Sequence, residues 1–205
     1  MTLETYALAL TCAAAPFLGS FACLLGLRLP AGEDWIRGRS RCPTCRRTLT
    51  VADTVPLLGW LHRRGRCRHC ATPIAKVYPI SEGLALAAAL YSAAAFPSTI
   101  ALTTLLLTTL LIAIAVADWR HGVIPDGLTA LVLLAGLATV AWTAPARLPA
   151  HALAVVAGFM ALYLVAEGYR RLKDRPGLGL GDVKLFGAAG AWVGAPGLPS
   201  VLLSA

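Results

Sequence analysis

Apolar residues along this chain fall into long blocks instead of recurring at helical or strand spacing. The first block runs from Thr5 to Leu29. After a polar stretch, five more follow: Gly83 to Phe96, Thr99 to Ala117, Leu128 to Trp142, Ala150 to Glu167, and Val183 to the C-terminal end. A helix needs about 20 apolar residues to cross a bilayer, so the pattern predicts an all-α polytopic integral membrane protein with about six transmembrane helices. The polar stretch between the first two blocks is then a small loop domain. The second block is short, and Pro97 divides it from the third. Glu4 precedes the first block and no Lys or Arg does, so this block reads as a retained helix and not as a signal peptide. Runs of alanine suit close helix contact in a membrane. No internal repeat and no low-complexity tail is evident.

Composition agrees with this pattern. The 205 residues are 58% hydrophobic and only 14% charged, against about one quarter charged in a typical soluble domain, which excludes an ordinary water-soluble globule. The net charge of +8 would suggest a nucleic-acid partner if it were spread over a surface, but eleven of the eighteen Lys and Arg lie between Arg28 and Lys76. A second group is Arg170, Arg171, Lys173 and Arg175. Basic residues confined to loops between spans mark those loops as cytoplasmic. The partner this charge implies is the membrane lipid, and no nucleic acid is expected. Counting crossings puts both basic loops on one side and leaves Arg147 opposite. Asp118 and Asp182, an even number of crossings apart, both fall near the cytoplasmic face.

The first cytoplasmic loop carries Cys42-Pro43-Thr44-Cys45 and Cys67-Arg68-His69-Cys70, two C-x-x-C pairs 21 residues apart. Two such turns supply the four tetrahedral sulfurs that zinc favours, so Cys42, Cys45, Cys67 and Cys70 are candidate metal ligands. Redox pairs or disulfides are the alternatives, and a cytoplasmic location disfavours stable disulfides. Turn-forming residues in the spacer suggest a hairpin between the knuckles. Arg37, Arg39, Arg41, Arg46, Arg47, Arg63, Arg64, Arg66 and Arg68 surround them; these either lower the thiol pKa values or only set topology against anionic lipid. Cys12 and Cys23 lie inside the first span and read as small packing residues. His62, His69, His121 and His151 show no ligand spacing with one another, although His69 sits inside a knuckle as a spare ligand.

Two polar segments interrupt the membrane blocks. One is Asp118-Trp119-Arg120-His121-Gly122-Val123-Ile124-Pro125-Asp126, and the other is Gly179-Leu180-Gly181-Asp182-Val183-Lys184. Ionisable residues at a membrane boundary are functional candidates. Each also has a plain reading: Asp126 and Asp182 as helix N-caps, and Asp118 as the end of a span. As a pair they say more. Two carboxyl groups brought together do not both ionise readily, so one keeps a proton while the other acts as base. That arrangement activates water against a peptide carbonyl and protonates the departing amine. Gly179 and Gly181 let backbone approach a substrate or a neighbouring helix closely. The glycine spacing lacks the Lys-Ser/Thr and strand context of a nucleotide loop.

Taken together, these motifs resemble the type IV prepilin leader peptidase family, bifunctional leader peptidases and N-methyltransferases of the GxGD type. The resemblance runs from about Gly19 to Gly194. Besides the cysteines and aspartates it rests on Gly19-Ser20-Phe21 with Arg28-Leu29-Pro30, Pro56-Leu57-Leu58 with Trp60, Gly65-Arg66-Cys67-Arg68, and Tyr78-Pro79 with Glu82. It implies that Asp118 and Asp182 are the catalytic pair, that Asp126 supports the adjoining turn, and that Gly179 and Gly181 belong to the active-site loop. It further implies cleavage of the basic leader of type IV prepilins or pseudopilins at the cytoplasmic face of the inner membrane, followed by methylation of the new N-terminus with S-adenosylmethionine. Residues 1–82 are expected to form the N-terminal helix and four-cysteine zinc and methyltransferase region. Residues 83–205 are expected to form a peptidase region that is C-terminally shortened, since only 23 residues follow Asp182. Cys23 stands where the family has asparagine, and Val77 where it has arginine before Tyr-Pro. The alternative is a catalytically inactive, membrane-anchored zinc scaffold or assembly factor of a pilus or secretion system.

Overall fold

A computed structural model describes residues 3–36, 38, 40–175 and 177–204. Its elements are helices: α1 (Leu3–Arg28), two short helices α2 (Val51–Thr54) and α3 (Leu58–His62), α4 (Val77–Ala95), α5 (Ser98–His121), α6 (Asp126–Thr143), α7 (Leu148–Lys173) and α8 (Leu180–Ser204). A 3-10 turn at Pro145–Arg147 leads into α7. Strand-like pairing among the described residues is limited to two isolated antiparallel bridges in the cysteine loop.

All six predicted blocks are helical, and five helices are long and apolar enough to cross a membrane: α1, α5, α6, α7 with its preceding turn, and α8. The sixth, α4, begins at Val77, six residues before the apolar block opens. Pro79, Ser81 and Glu82 dilute its hydropathy. Ser81 and Glu82 are nevertheless buried, because α4 packs against both α1 and α5.

The chain forms two compact units, Met1–Gly122 and Val123–Ala205. In the first, α1, α4 and α5 pack around a core in which Ala15, Ala22, Ala85, Ala89, Ala101, Ala113 and Ala117 are fully buried. Small side chains bring the helix axes together where lipid supplies no hydrophobic drive between helices. The approach is close at Gly26, where a Cβ would run into the Ala113 carbonyl of α5, and at Gly19, where it would stand 2.5 Å from the Ser81 carbonyl oxygen of α4.

In the second unit α8 packs on α7 and α6. The Trp192 indole N–H donates to the Val132 carbonyl at 2.9 Å, tying α8 to α6. The apolar block beginning at Val183 does not continue as one helix: α8 breaks at Gly194, whose φ of 65° and ψ of 178° are open in practice only to glycine.

Candidate functional site

The two C-x-x-C pairs fold into knuckles of the same design. In the first, the Cys42 N–H donates to the Arg47 carbonyl and the Arg46 N–H donates back to the Cys42 carbonyl. In the second, the Cys67 N–H donates to the Thr72 carbonyl and the Ala71 N–H to the Cys67 carbonyl. Arg46 and Ala71 take matching left-handed conformations, with φ of 55° and 56°. The flanking pairs also correspond, Leu49 with Ser40 and Ile74 with Gly65. The loop is therefore a structural repeat, contrary to the sequence reading. Its trace in the sequence is Arg-x-Arg-Cys-x-x-Cys occurring twice, from Arg39 and from Arg64.

The knuckles face each other, and the four sulfurs lie within 4.8 Å of one another. Cys42 and Cys70 Sγ are 3.6 Å apart and Cys45 and Cys67 Sγ 4.0 Å apart. Sulfurs at the corners of a zinc tetrahedron with 2.3 Å bonds stand about 3.8 Å apart, so this donor set fits the ion. All six cysteines of the chain are free thiols.

Hydrogen bonds within the knuckles lower two of the thiols. The Thr72 hydroxyl and N–H bring Cys70 down to about 6, and the Cys45 N–H lowers Cys42. Cys45, although the Arg47 N–H favours its thiolate, is pushed up to about 11 by burial and the neighbouring thiols. Arg63 is engaged by Asp53 at 2.9 Å. Arg47 Nη1 meets His69 Nδ1 at 3.2 Å, a link from one knuckle to the other that occupies the histidine predicted as a spare ligand. Arg37 and Arg39 lie outside the described residues.

The spacer between the knuckles forms α2 and α3, where a hairpin was expected. The Thr50 hydroxyl donates to Asp53 Oδ2 at 2.6 Å, and the other Asp53 oxygen accepts from Arg63 Nε, closing the two short helices onto each other. These bonds hold the Asp53 carboxyl below the usual carboxylate range, chiefly through the Thr50 hydroxyl, with the Thr50 N–H and Arg63 adding to it. Leu57, at the α2–α3 junction with φ of 61°, donates its N–H to Glu82 Oε2 at 2.7 Å. Between this loop and the ends of α1, α4 and α5 lies a cavity of about 820 Å³, whose walls include Ser20, Trp60, Tyr78, Glu82 and Arg120.

The aspartates are divided between the units. Asp118 is in the last turn of α5, with an exposed side chain. Its carbonyl accepts from the N–H of Gly122, which ends the helix in a left-handed conformation. His121 Nε2 lies 3.1 Å from the Leu27 carbonyl, so the ends of α5 and α1 meet beside the cavity.

In the second unit, Asp126 opens α6 but does not cap it; its carboxylate takes the Lys184 ammonium at 2.8 Å. Asp182 lies in the first turn of α8 with its side chain exposed. Gly179 stands directly against it, and a Cβ there would come within 2.9 Å of Asp182 Oδ2. A Cβ on Gly181 would meet the Ile124 side chain at 2.9 Å. Both glycines thus bring the start of α8 close to its surroundings, and the starts of α6 and α8 lie together. Sequence reasoning missed Lys184 as the partner of Asp126 and Glu82 as a wall of the cavity. Their partners are 58 and 25 residues away in the chain; in the sequence Glu82 stands only as a motif residue beside Tyr78-Pro79, and Lys184 only as a neighbour of Asp182.

Two family models match the chain: the bacterial peptidase A24 N-terminal domain over residues 14–96 and the type IV leader peptidase family over residues 105–205. A prepilin leader peptidase/N-methyltransferase of Burkholderia pseudomallei is 39% identical over 178 residues, covering 86% of this chain and 58% of the relative. A type 4 prepilin-like proteins leader peptide-processing enzyme of Escherichia coli O78:H11 is 41% identical over 170 residues, covering 82% and 63%. The chain therefore spans roughly 58–63% of the length of these relatives. A prepilin leader peptidase/N-methyltransferase of Klebsiella pneumoniae is 36% identical over 211 residues, covering 93% of this chain and 92% of the relative. No solved structure gives a significant match. Two adjoining models account for both parts of the chain, and a relative of similar length repeats the match across nearly all of it, so the chain belongs to the type IV leader peptidase family.

Proposed function

We propose that this multi-pass membrane protein is an aspartic endopeptidase of the bacterial inner membrane that removes the basic leader of type IV prepilins or pseudopilins at the cytoplasmic face, and that it methylates the new N-terminus. The observation that carries the reading is the family match, which covers both polar segments bearing aspartates at helix ends. Asp118 and Asp182 are the proposed acid/base pair. One carboxylate takes a proton from the attacking water, while the other, protonated, donates to the amine of the broken peptide bond. Asp126, held by Lys184, keeps the starts of α6 and α8 together, and Gly179 leaves room for the Asp182 carboxylate.

Residues 1–82 are the proposed zinc and methyltransferase region, and 83–205 the peptidase region. Cys42, Cys45, Cys67 and Cys70 would hold a structural zinc, whose charge keeps the thiolates together and the loop folded. S-adenosylmethionine, when bound, supplies a methyl group on a sulfonium. The cavity under the loop has room for such a ligand, an indole at Trp60, and both carboxylate and guanidinium groups on its walls.

The test is cleavage of a purified prepilin by the full chain in detergent or nanodiscs, followed by product mass with and without S-adenosylmethionine. Asp118→Asn and Asp182→Asn each should abolish cleavage while the protein remains in the membrane. Cleavage retained in both variants overturns the assignment, and an inactive wild-type chain favours the scaffold reading.

A further inference from the structure

We infer that the cavity beneath the cysteine loop is a binding site for an organic ammonium group, with Glu82 as its anchor. Glu82 is 5% exposed. Gly19 brings α1 so close to α4 at this level that a Cβ there would stand 2.9 Å from Glu82 Cα, which is how a membrane helix comes to enclose a carboxylate. A carboxylate removed from water needs compensation by a cation or several donors. Among the described residues its hydrogen-bond donor is neutral, the Leu57 N–H at 2.7 Å. Among the described residues no Lys, Arg or His forms an ion pair with Glu82, although Arg28, Arg41, Arg46, Arg120 and His121 line the same cavity. Arg41, Arg46 and Arg120 are exposed residues, His121 meets the Leu27 carbonyl, and Arg28 donates to the carbonyls of Asp34 and Gly38. Asp53, the other inward-lying carboxylate of the cavity, already has Arg63. The cavity thus presents a buried carboxylate in no ion pair among the described residues, while most of the cationic side chains on its walls belong to exposed residues. A ligand with an ammonium on the inside and a polar or anionic portion toward the opening matches that polarity.

The identity of the ammonium rests on the proposed function, which offers three sources: a lysine of the basic leader, the free amine of the processed N-terminus, and the amine of S-adenosylmethionine. The site itself rests only on the geometry. Glu82→Gln separates charge from structure, because the Gln carbonyl still accepts from Leu57 while the negative charge is gone; Glu82→Asp keeps the charge.

Binding is measured on the full chain in nanodiscs carrying Asp118→Asn to prevent turnover. The probes are a leader peptide and its lysine-to-norleucine form, a processed N-terminal peptide and its acetylated form, and S-adenosylmethionine. The expected result is that Glu82→Gln weakens at least one ammonium-bearing probe tenfold or more, leaves its neutral counterpart unchanged where one exists, and is largely rescued by Glu82→Asp. Binding of every probe within twofold of the parent overturns the proposal. Equal weakening of charged and neutral peptides also overturns it, since Glu82 would then only place the loop. Ammonium binding that depends on Glu82, where the chain with Asp118 intact cleaves no prepilin, leaves the site standing and removes the proposed function. Cleavage with no dependence of binding on Glu82 does the reverse.

Discussion

At the scale of single residues, the site is most sensitive where an added atom would displace a reacting group. Gly179 is such a place: a methyl group there would lie 2.9 Å from Asp182 Oδ2 and displace the carboxylate from its rotamer. A misplacement of about 1 Å in a reacting group costs on the order of 100-fold in rate. Gly179→Ala should therefore lower kcat for leader cleavage by roughly that factor with little change in thermal stability, because the residue is exposed and outside α8. Unchanged cleavage would show that Asp182 acts from another position or not at all. The same scale shows what the sequence could and could not disclose. Four cysteines in two knuckles are legible because metal-ligand spacing is local and each pair is set by its own turn. The environment of the aspartates was only partly legible. That Gly179 and Gly181 permit close approach followed from glycine itself, but Lys184 as the partner of Asp126 depends on two helices meeting 58 residues apart, which no local pattern records.

At the scale of elements, the membrane makes long helices easy to read and the loop hard. A span must be continuously apolar, so α1 and α5 to α8 appear as blocks in the sequence. The start of α4 was misplaced because Glu82 and Ser81 are buried against a neighbouring helix, which apolarity alone cannot show. Helices α2 and α3, of four and five residues, are too short to form on propensity. They depend on side-chain bonds centred on Asp53, and this gives them a pH dependence. The Asp53 carboxyl is held below its usual value by Thr50 and Arg63. Its stabilising contribution is therefore complete above the unfolded carboxyl value of about 3.9 and is lost as pH falls through the lower folded value. Asp53→Asn should destabilise the loop at neutral pH by about 1.5 kcal/mol, the scale of a hydrogen bond to a charged group, and the difference from wild type should vanish in acid. Trp60, whose indole N–H reaches the Ile74 carbonyl at 3.4 Å, reports on this loop. Its fluorescence during denaturation, in chains whose other tryptophans are phenylalanine, checks the prediction. A gap between the two chains that widens toward low pH would contradict it.

At the scale of the whole molecule, sidedness in the membrane is what gives the charge distribution its meaning. The connection from α5 to α6, Gly122–Pro125, is far too short to cross a bilayer, so the Asp118 and Asp126 ends share a face. From that face α6 leaves and α7 returns, so Arg170, Arg171 and Lys173 are expected on the side where α6 begins and Arg147 at the opposite surface. Basic residues in short loops stay in the cytoplasm, so the arrangement requires Lys173 inside and Arg147 outside. Single cysteines at these two positions, probed with a membrane-impermeant maleimide, separate the possibilities. In intact cells Arg147→Cys should label while Lys173→Cys and the parent chain should not; after permeabilisation Lys173→Cys should take up label beyond that of the parent chain, whose own loop cysteines then react. Labelling of Lys173→Cys alone from outside would invert the protein and put the proposed peptidase on the wrong side for a leader still in the cytoplasm. Labelling of both from outside would mean that α7 does not span. The number of crossings would then be odd between Asp118 and Asp182, and the two aspartates could not serve one cleavage site at one membrane face.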